Sequence, residues 1–180
     1  MPLTAKQRGW ILLAAFAAGI IVLDQATKAW AEADLKQRPG QTITLLDDYL
    51  AFRYARNPGA AFSIFHDWSP RARGAFFILV AVGAVAAMIW LYRRMPERRR
   101  LYEWALGLLI GGAVGNLIDR IRFNEVIDFI DLHWKSAHWP TFNVADIAIV
   151  AGIGLVLLDA LLQRPEKKPA ARPAAKGKKG

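Results

Sequence analysis

The sequence predicts an all-α membrane protein of four transmembrane helices, with a small β-rich segment on the outer side between the first two. Three observations predict it. Hydrophobic residues make up 54% of the 180-residue chain, above the roughly 45 to 50% usual in soluble domains. The surplus is gathered in four blocks, Gly9 to Leu23, Gly74 to Tyr92, Leu101 to Ile118 and Phe142 to Leu162, each near the roughly 20 residues that carry a helix across a bilayer. The basic residues that flank the blocks are shared unevenly between the two sides.

The first span is expected over about 9–27, preceded by Lys6 and Arg8. A cleaved signal peptide is the competing reading of this start, because Ala29-Trp30-Ala31 resembles a small-residue cleavage site. Trp30 and Glu32 fit a retained helix end, and removing the span would reverse the fit between terminal and loop charges. The outer segment, 28–73, is too long for a simple connection. Leu50, Phe52 and Tyr54 alternate with Ala51, Arg53 and Ala55, and Thr42 to Leu46 is β-prone, so a short hairpin is predicted. Asn57-Pro58-Gly59 then turns the chain. Phe62, Phe65 and Trp68 fall three apart, as on an interfacial helix or an aromatic belt.

The second and third spans are expected over about 74–92 and 101–118, and the fourth over 142–162. The link from Arg93 to Arg100 holds five arginines against Glu97 alone, whereas the link between spans three and four sets Arg120, Arg122 and Lys135 against four acids. Lys and Arg collect in cytoplasmic loops, so the first link reads as inside and the second as outside. The membrane domain is then 1–162. The remainder, 163–180, rich in Lys, Pro, Ala and Gly, reads as a disordered cytoplasmic tail attracted to anionic lipid, which puts both termini in the cytoplasm.

The charge of +9 lies beside hydrophobic segments and lacks the aromatic and polar readers of a nucleic-acid surface, so no nucleic-acid partner is expected. Without cysteine there is no disulfide, thiol nucleophile or thiolate metal site. His66, His133 and His138 have no metal-binding helical spacing, so no metal and no cofactor are expected.

Ionisable groups in spans are costly and mark function. Asp24 and Lys28, four apart, share a helix face and could form an ion pair. Asn116 and Arg120 repeat that spacing at the outer end of span three; Asn143 and Asp146 lie three apart at the start of span four. Asp128 sits within the apolar run of Val126, Ile127, Phe129 and Ile130, which favours its burial. Asp159 and Glu103, near inner helix ends, read as solvated or snorkelling acids. Two carboxylates in hydrogen-bond reach share one proton and can activate water against a peptide carbonyl. Spacing alone does not choose Asp128 and Asp146 over Asp119 or Asp131, and a proton relay stands level with proteolysis. A carrier would place its charges near the midplane, where this chain has Ala, Gly, Val, Ile and Leu.

Five segments in this order, DQATK at 24–28, RNPGAAFS at 56–63, GNLIDR at 115–120, VIDFIDLH at 126–133 and FNVADIAI at 142–149, resemble the lipoprotein signal peptidases, or signal peptidase II. The resemblance implies a cofactor-free aspartic endopeptidase of the bacterial inner membrane, with its active site at the periplasmic face. It implies removal of signal peptides from prolipoproteins, with cleavage before a diacylglyceryl-modified cysteine. It implies that Asp128 and Asp146 are the catalytic dyad, that Asn57, Asn116, Arg120 and Asn143 position substrate and dyad, and that Asp24 and Lys28 support them. A globomycin-type inhibitor, membrane lipid and a monomeric state are the associated expectations. Two positions depart from the family pattern: Asn124 where glycine is common, and Ile147 where a small polar residue is common. Asn tolerates the left-handed conformation, and Ile147 should point away from Asp146.

Overall fold

The computed structural model describes residues 2–59, 68–95 and 99–162. Four long helices form the bundle: α1 (Ala5–Ala33), α2 (Pro70–Arg94), α3 (Arg100–Phe123) and α4 (Val144–Leu162). All four are long and apolar enough to cross a membrane. Thr4 starts α1 with a capping box that engages Gln7. Ser69 caps α2 ahead of Pro70, whose missing N–H costs nothing in a first turn. Asn124 ends α3 at φ 58°, the left-handed conformation anticipated for it.

Helix α3 is the central element and packs on the other three helices. It comes close to its neighbours because small residues face them: a methyl group at Gly112 would meet the Ala145 carbonyl of α4, and one at Gly115 would meet the Asp24 carboxylate of α1. Leu13, Ala17, Tyr92, Leu106 and Ile110 fill the centre of the bundle. The outward faces are apolar, with Leu79, Val150 and Leu161 each more than two-thirds exposed, as suits helices whose solvent is lipid. Helix α2 is the most exposed of the four: only Gly74 and Tyr92 are fully buried, with Val85, Met88 and Ile89 packed partly against the core.

The predicted hairpin is present as β1 (Thr42–Leu46) and β2 (Leu50–Asn57), paired antiparallel. Two further strands extend it: β3 (Val126–Trp134) and β4 (Ala137–His138), giving a four-stranded sheet in the order β1-β2-β3-β4. Both come from the link between α3 and α4, so the sheet draws on two separate interhelical segments. Asn57 pairs with Val126 and Ala55 with Asp128, with a bulge between Phe52 and Ala55. Ala31, Leu35, Tyr54, Ile127 and Phe129 form a second core between sheet and helix. Trp30 packs edge-on against Phe52 and Phe129 at 5.4 and 6.1 Å, which docks the sheet on the end of α1.

Two sequence expectations are corrected. Glu103 is not solvated: it is fully buried and accepts a hydrogen bond from the Tyr92 hydroxyl at 3.0 Å. Asp159 is also buried and pairs with Arg99. Each partner comes from a different part of the chain, where local spacing gives no sign of it. Residues 60–67, and with them most of the expected interfacial helix, lie outside the described residues, as does the tail over 163–180.

Candidate active site

Polar side chains from α1, α3, α4 and the sheet meet at one end of the bundle. The base of the cluster is a buried charge triad. Lys28 Nζ lies 2.9 Å from Asp24 on its own helix and 2.9 Å from Asp119 on α3, with all three side chains at most 2% exposed. The predicted pair is therefore part of a larger group, with Asp119 the member that local spacing missed. Asp119 also accepts from the Ile127 backbone N–H at 3.1 Å, tying α3 to β3. Asp24 accepts from the Ala145 N–H at 3.0 Å, tying α1 to the first turn of α4.

Above the triad stands a ladder of amides. Asn116 accepts from Lys28 at 2.9 Å and donates through Nδ2 to Asp146 Oδ1 at 2.8 Å. Asn143, fully buried, precedes α4 and acts as its cap: its side-chain oxygen accepts from the Asp146 N–H at 3.0 Å, while Asp146 Oδ2 accepts from the Asn143 N–H at 3.2 Å. The side-chain nitrogen of Asn143 donates to Asp128 Oδ1 at 2.7 Å. One residue thus holds both aspartates. Asn57 completes the support by donating to Asp128 Oδ2 at 2.9 Å, and its own oxygen accepts from the Gly59 N–H at 2.8 Å. That turn needs φ of +82° at Gly59, which glycine adopts without strain.

Arg120 donates to the Asn116 carbonyl at 3.3 Å and lies over the Phe77 ring at 5.1 Å. Its charge acts on Asp146, Asp128 and Asp119. All eight residues singled out from the sequence therefore belong to one connected cluster.

The acids differ in their partners. Asp119 and Asp131 are committed, the first to Lys28 and the second to Arg53 and His138. Asp128 and Asp146 accept from amide groups, and among the described residues neither stands in an ion pair. Burial pushes the Asp128 carboxyl up to about 6; the N–H donated by Asn57 opposes the rise, Asp146 adds to it, and Asn143 and Lys28 oppose it. An acid so placed can hold a proton near neutral pH and release it to a leaving group. Ile147 is half-exposed on the outer face of α4, so the departure from the family pattern there leaves the carboxylate contacts intact.

Four spanning helices that gather buried acids and amides beneath an extramembrane sheet define a class: a multi-pass membrane aspartic peptidase. The sequence model of the Peptidase_A8 family, signal peptidase (SPase) II, matches residues 16–162. A lipoprotein signal peptidase of Geobacter sulfurreducens is 44% identical over 151 residues, which cover 84% of this chain and 92% of its own. That of Shewanella loihica is 41% identical over 182 aligned positions, covering 98% and 100%. A solved structure described as a bacterial membrane enzyme, obtained by the in meso method at 1.9 Å resolution, superposes with a TM-score of 0.72 at 28% identity, covering 85% of this chain and 94% of its own. The chain belongs to the signal peptidase II family, the lipoprotein signal peptidases.

Proposed function

We propose that Asp128 and Asp146 are the catalytic pair with which this enzyme removes the signal peptide of a prolipoprotein, cutting before a diacylglyceryl-modified cysteine. The observation that carries the assignment is their shared support: Asn143 donates to both carboxylates, and among the described residues no cation neutralises either at hydrogen-bond range. Asp128 holds the proton of the pair. Asp146 takes a proton from water as the water oxygen bonds to the scissile carbonyl carbon. Asp128 hydrogen-bonds the developing oxyanion and then gives its proton to the leaving amine as the C–N bond breaks, and a proton passing between the two resets the pair. Asn57, Asn116 and Asn143 orient the carboxylates, and the Arg120 charge opposes the build-up of negative charge between them. Asp24 and Lys28 support this from below.

A cavity of about 590 Å³, walled by Trp139, Phe142, Ile147 and Val150, reaches Asp146. An apolar wall beside a catalytic acid suits a lipid-bearing substrate, because acyl chains at roughly 0.8 kcal/mol per buried CH₂ would fix the cysteine at the interface and bring the preceding bond to the pair. The same wall favours amphipathic inhibitors of the globomycin type over pepstatin-like peptides. In this reading 1–162 is the membrane peptidase domain of a monomer, 163–180 is a cytoplasmic tail, both termini are cytoplasmic, and the site faces the periplasm across the inner membrane. The test compares diacylglyceryl-modified and unmodified precursor with the same purified enzyme in the same bilayer, following the signal peptide by gel shift. The modified form is expected to be cut far faster, since positioning of this kind supplies several kcal/mol of a barrier; equal rates would sink the lipid requirement.

A further inference from the structure

We infer that the β3–β4 hairpin carries a second, non-catalytic site, in which Asp131, His133 and His138 bind a late first-row divalent cation such as Zn²⁺. The sequence gives no hint of it because the ligands follow strand geometry. Residues two apart on a strand share a face, which places Asp131 beside His133. His138 is the direct cross-strand partner of His133. The two rings stack with centroids 4.9 Å apart.

Candidate ligand atoms of the three residues all lie within 4.8 Å of one another. The His138 Nδ1 is 3.0 and 3.1 Å from the two Asp131 oxygens, and the His133 Nδ1 is 3.9 Å from the nearer one. Ligands bound tetrahedrally at about 2.0–2.1 Å stand roughly 3.3 Å apart, so the observed spacings straddle what a bound ion requires. Small ring rotations would close them. Two imidazoles and one carboxylate are a donor set suited to Zn²⁺, Cu²⁺ or Ni²⁺ and poorly matched to Mg²⁺ or Ca²⁺.

A second observation is independent of the spacing. Among the described residues, the buried side-chain nitrogens without a hydrogen-bond partner are His133 Nδ1 and Arg53 Nε, and both border Asp131. Buried polar atoms are nearly always satisfied, and a cation bonded to His133 Nδ1 satisfies one of these two. Arg53 Nε lies 3.3 Å from Asp131 Oδ2, the same oxygen that His133 Nδ1 approaches at 3.9 Å, while Oδ1 is met by His138 Nδ1 at 3.0 Å. The Arg53 charge weakens cation binding and also orients the carboxylate. Entry is open: the His138 side chain is 40% exposed and borders a cavity of about 530 Å³ with His133 and Trp139.

The experiment titrates the full chain, freed of any polyhistidine tag, with Zn²⁺ in detergent by calorimetry. One ion per chain is expected. His133→Ala and His138→Gln should each weaken binding by at least about tenfold, as loss of metal-supporting contacts does elsewhere. His138 lies on a two-residue edge strand, so H138Q should fold, and its metal-free melting temperature checks this. Saturating Zn²⁺ should raise the melting temperature of the unaltered chain and not that of H138Q. Absence of saturable binding, or an unchanged isotherm in either variant, overturns the assignment.

Discussion

Lys28 donates from Nζ to Asn116 Oδ1 at 2.9 Å, and this contact decides which way the Asn116 amide faces. With its oxygen held by a cation, Asn116 presents its nitrogen to Asp146 at 2.8 Å. Lys28 thus reaches the proposed pair through a neutral amide, while its charge is met by Asp24 and Asp119. Removing one partner of such a buried group leaves uncompensated charge, at about 3–5 kcal/mol. Lys28→Met is expected to lower thermal stability in detergent by that order. An unchanged melting temperature would mean that the triad is not buried in the working enzyme.

Asp128→Asn and Asp146→Asn should each lower turnover by about 10² to 10⁴, the range for a general acid or base, while the protein stays inserted and folded. For Asp128 two effects on stability oppose each other. The amide relieves the cost of burying a charge, but it turns an N–H toward one of the two donors, Asn57 or Asn143. Single-turnover rates on a lipidated precursor decide the matter; near-normal turnover in either variant removes that residue from the pair.

The pH profile follows from the Asp128 carboxyl, which burial lifts to about 6. If Asp128 supplies the proton, kcat/KM of the free enzyme should fall by about tenfold per unit as the pH rises beyond that value. The fold responds with the same sign. A raised carboxyl favours the folded state fully below its unfolded value near 4, and this contribution is lost as the pH rises through about 6. An activity that climbs through pH 6 would instead make Asp128 the base.

Topology can be read with single cysteines at exposed positions. Asp47→Cys, in the β1–β2 turn, and Ser136→Cys, in the β3–β4 turn, should react with an impermeant reagent outside spheroplasts. Arg94→Cys, at the far end of α2, should not. Outside labelling of Arg94→Cys would invert the arrangement.

The helices were legible because each apolar block is continuous and long, and the β1–β2 hairpin because its side chains alternate. Strand β3 was not, since Asp128 and Asp131 fall three apart in an apolar run and mask the period of two. The members of the candidate cluster could be picked out from motifs. Their division of labour could not, because Asp119 and Asp131 are set apart from Asp128 and Asp146 only by cations from distant positions, Lys28 and Arg53. The burial of Glu103 is hidden from the sequence in the same way, its hydroxyl partner coming from another helix.

Asp128 rides on a strand of the sheet, whereas Asp146 stands in the first turn of a spanning helix. The two proposed halves of the catalytic pair therefore hang on different elements, and Asn143 rivets them together by bonding to both. Helix tilt responds to the thickness of the surrounding hydrocarbon, but Trp30 and Asp119 fasten the sheet to the same helix bundle. A change of bilayer is then passed to strand and helix as one body, and the spacing of the two acids is insulated from the membrane around them.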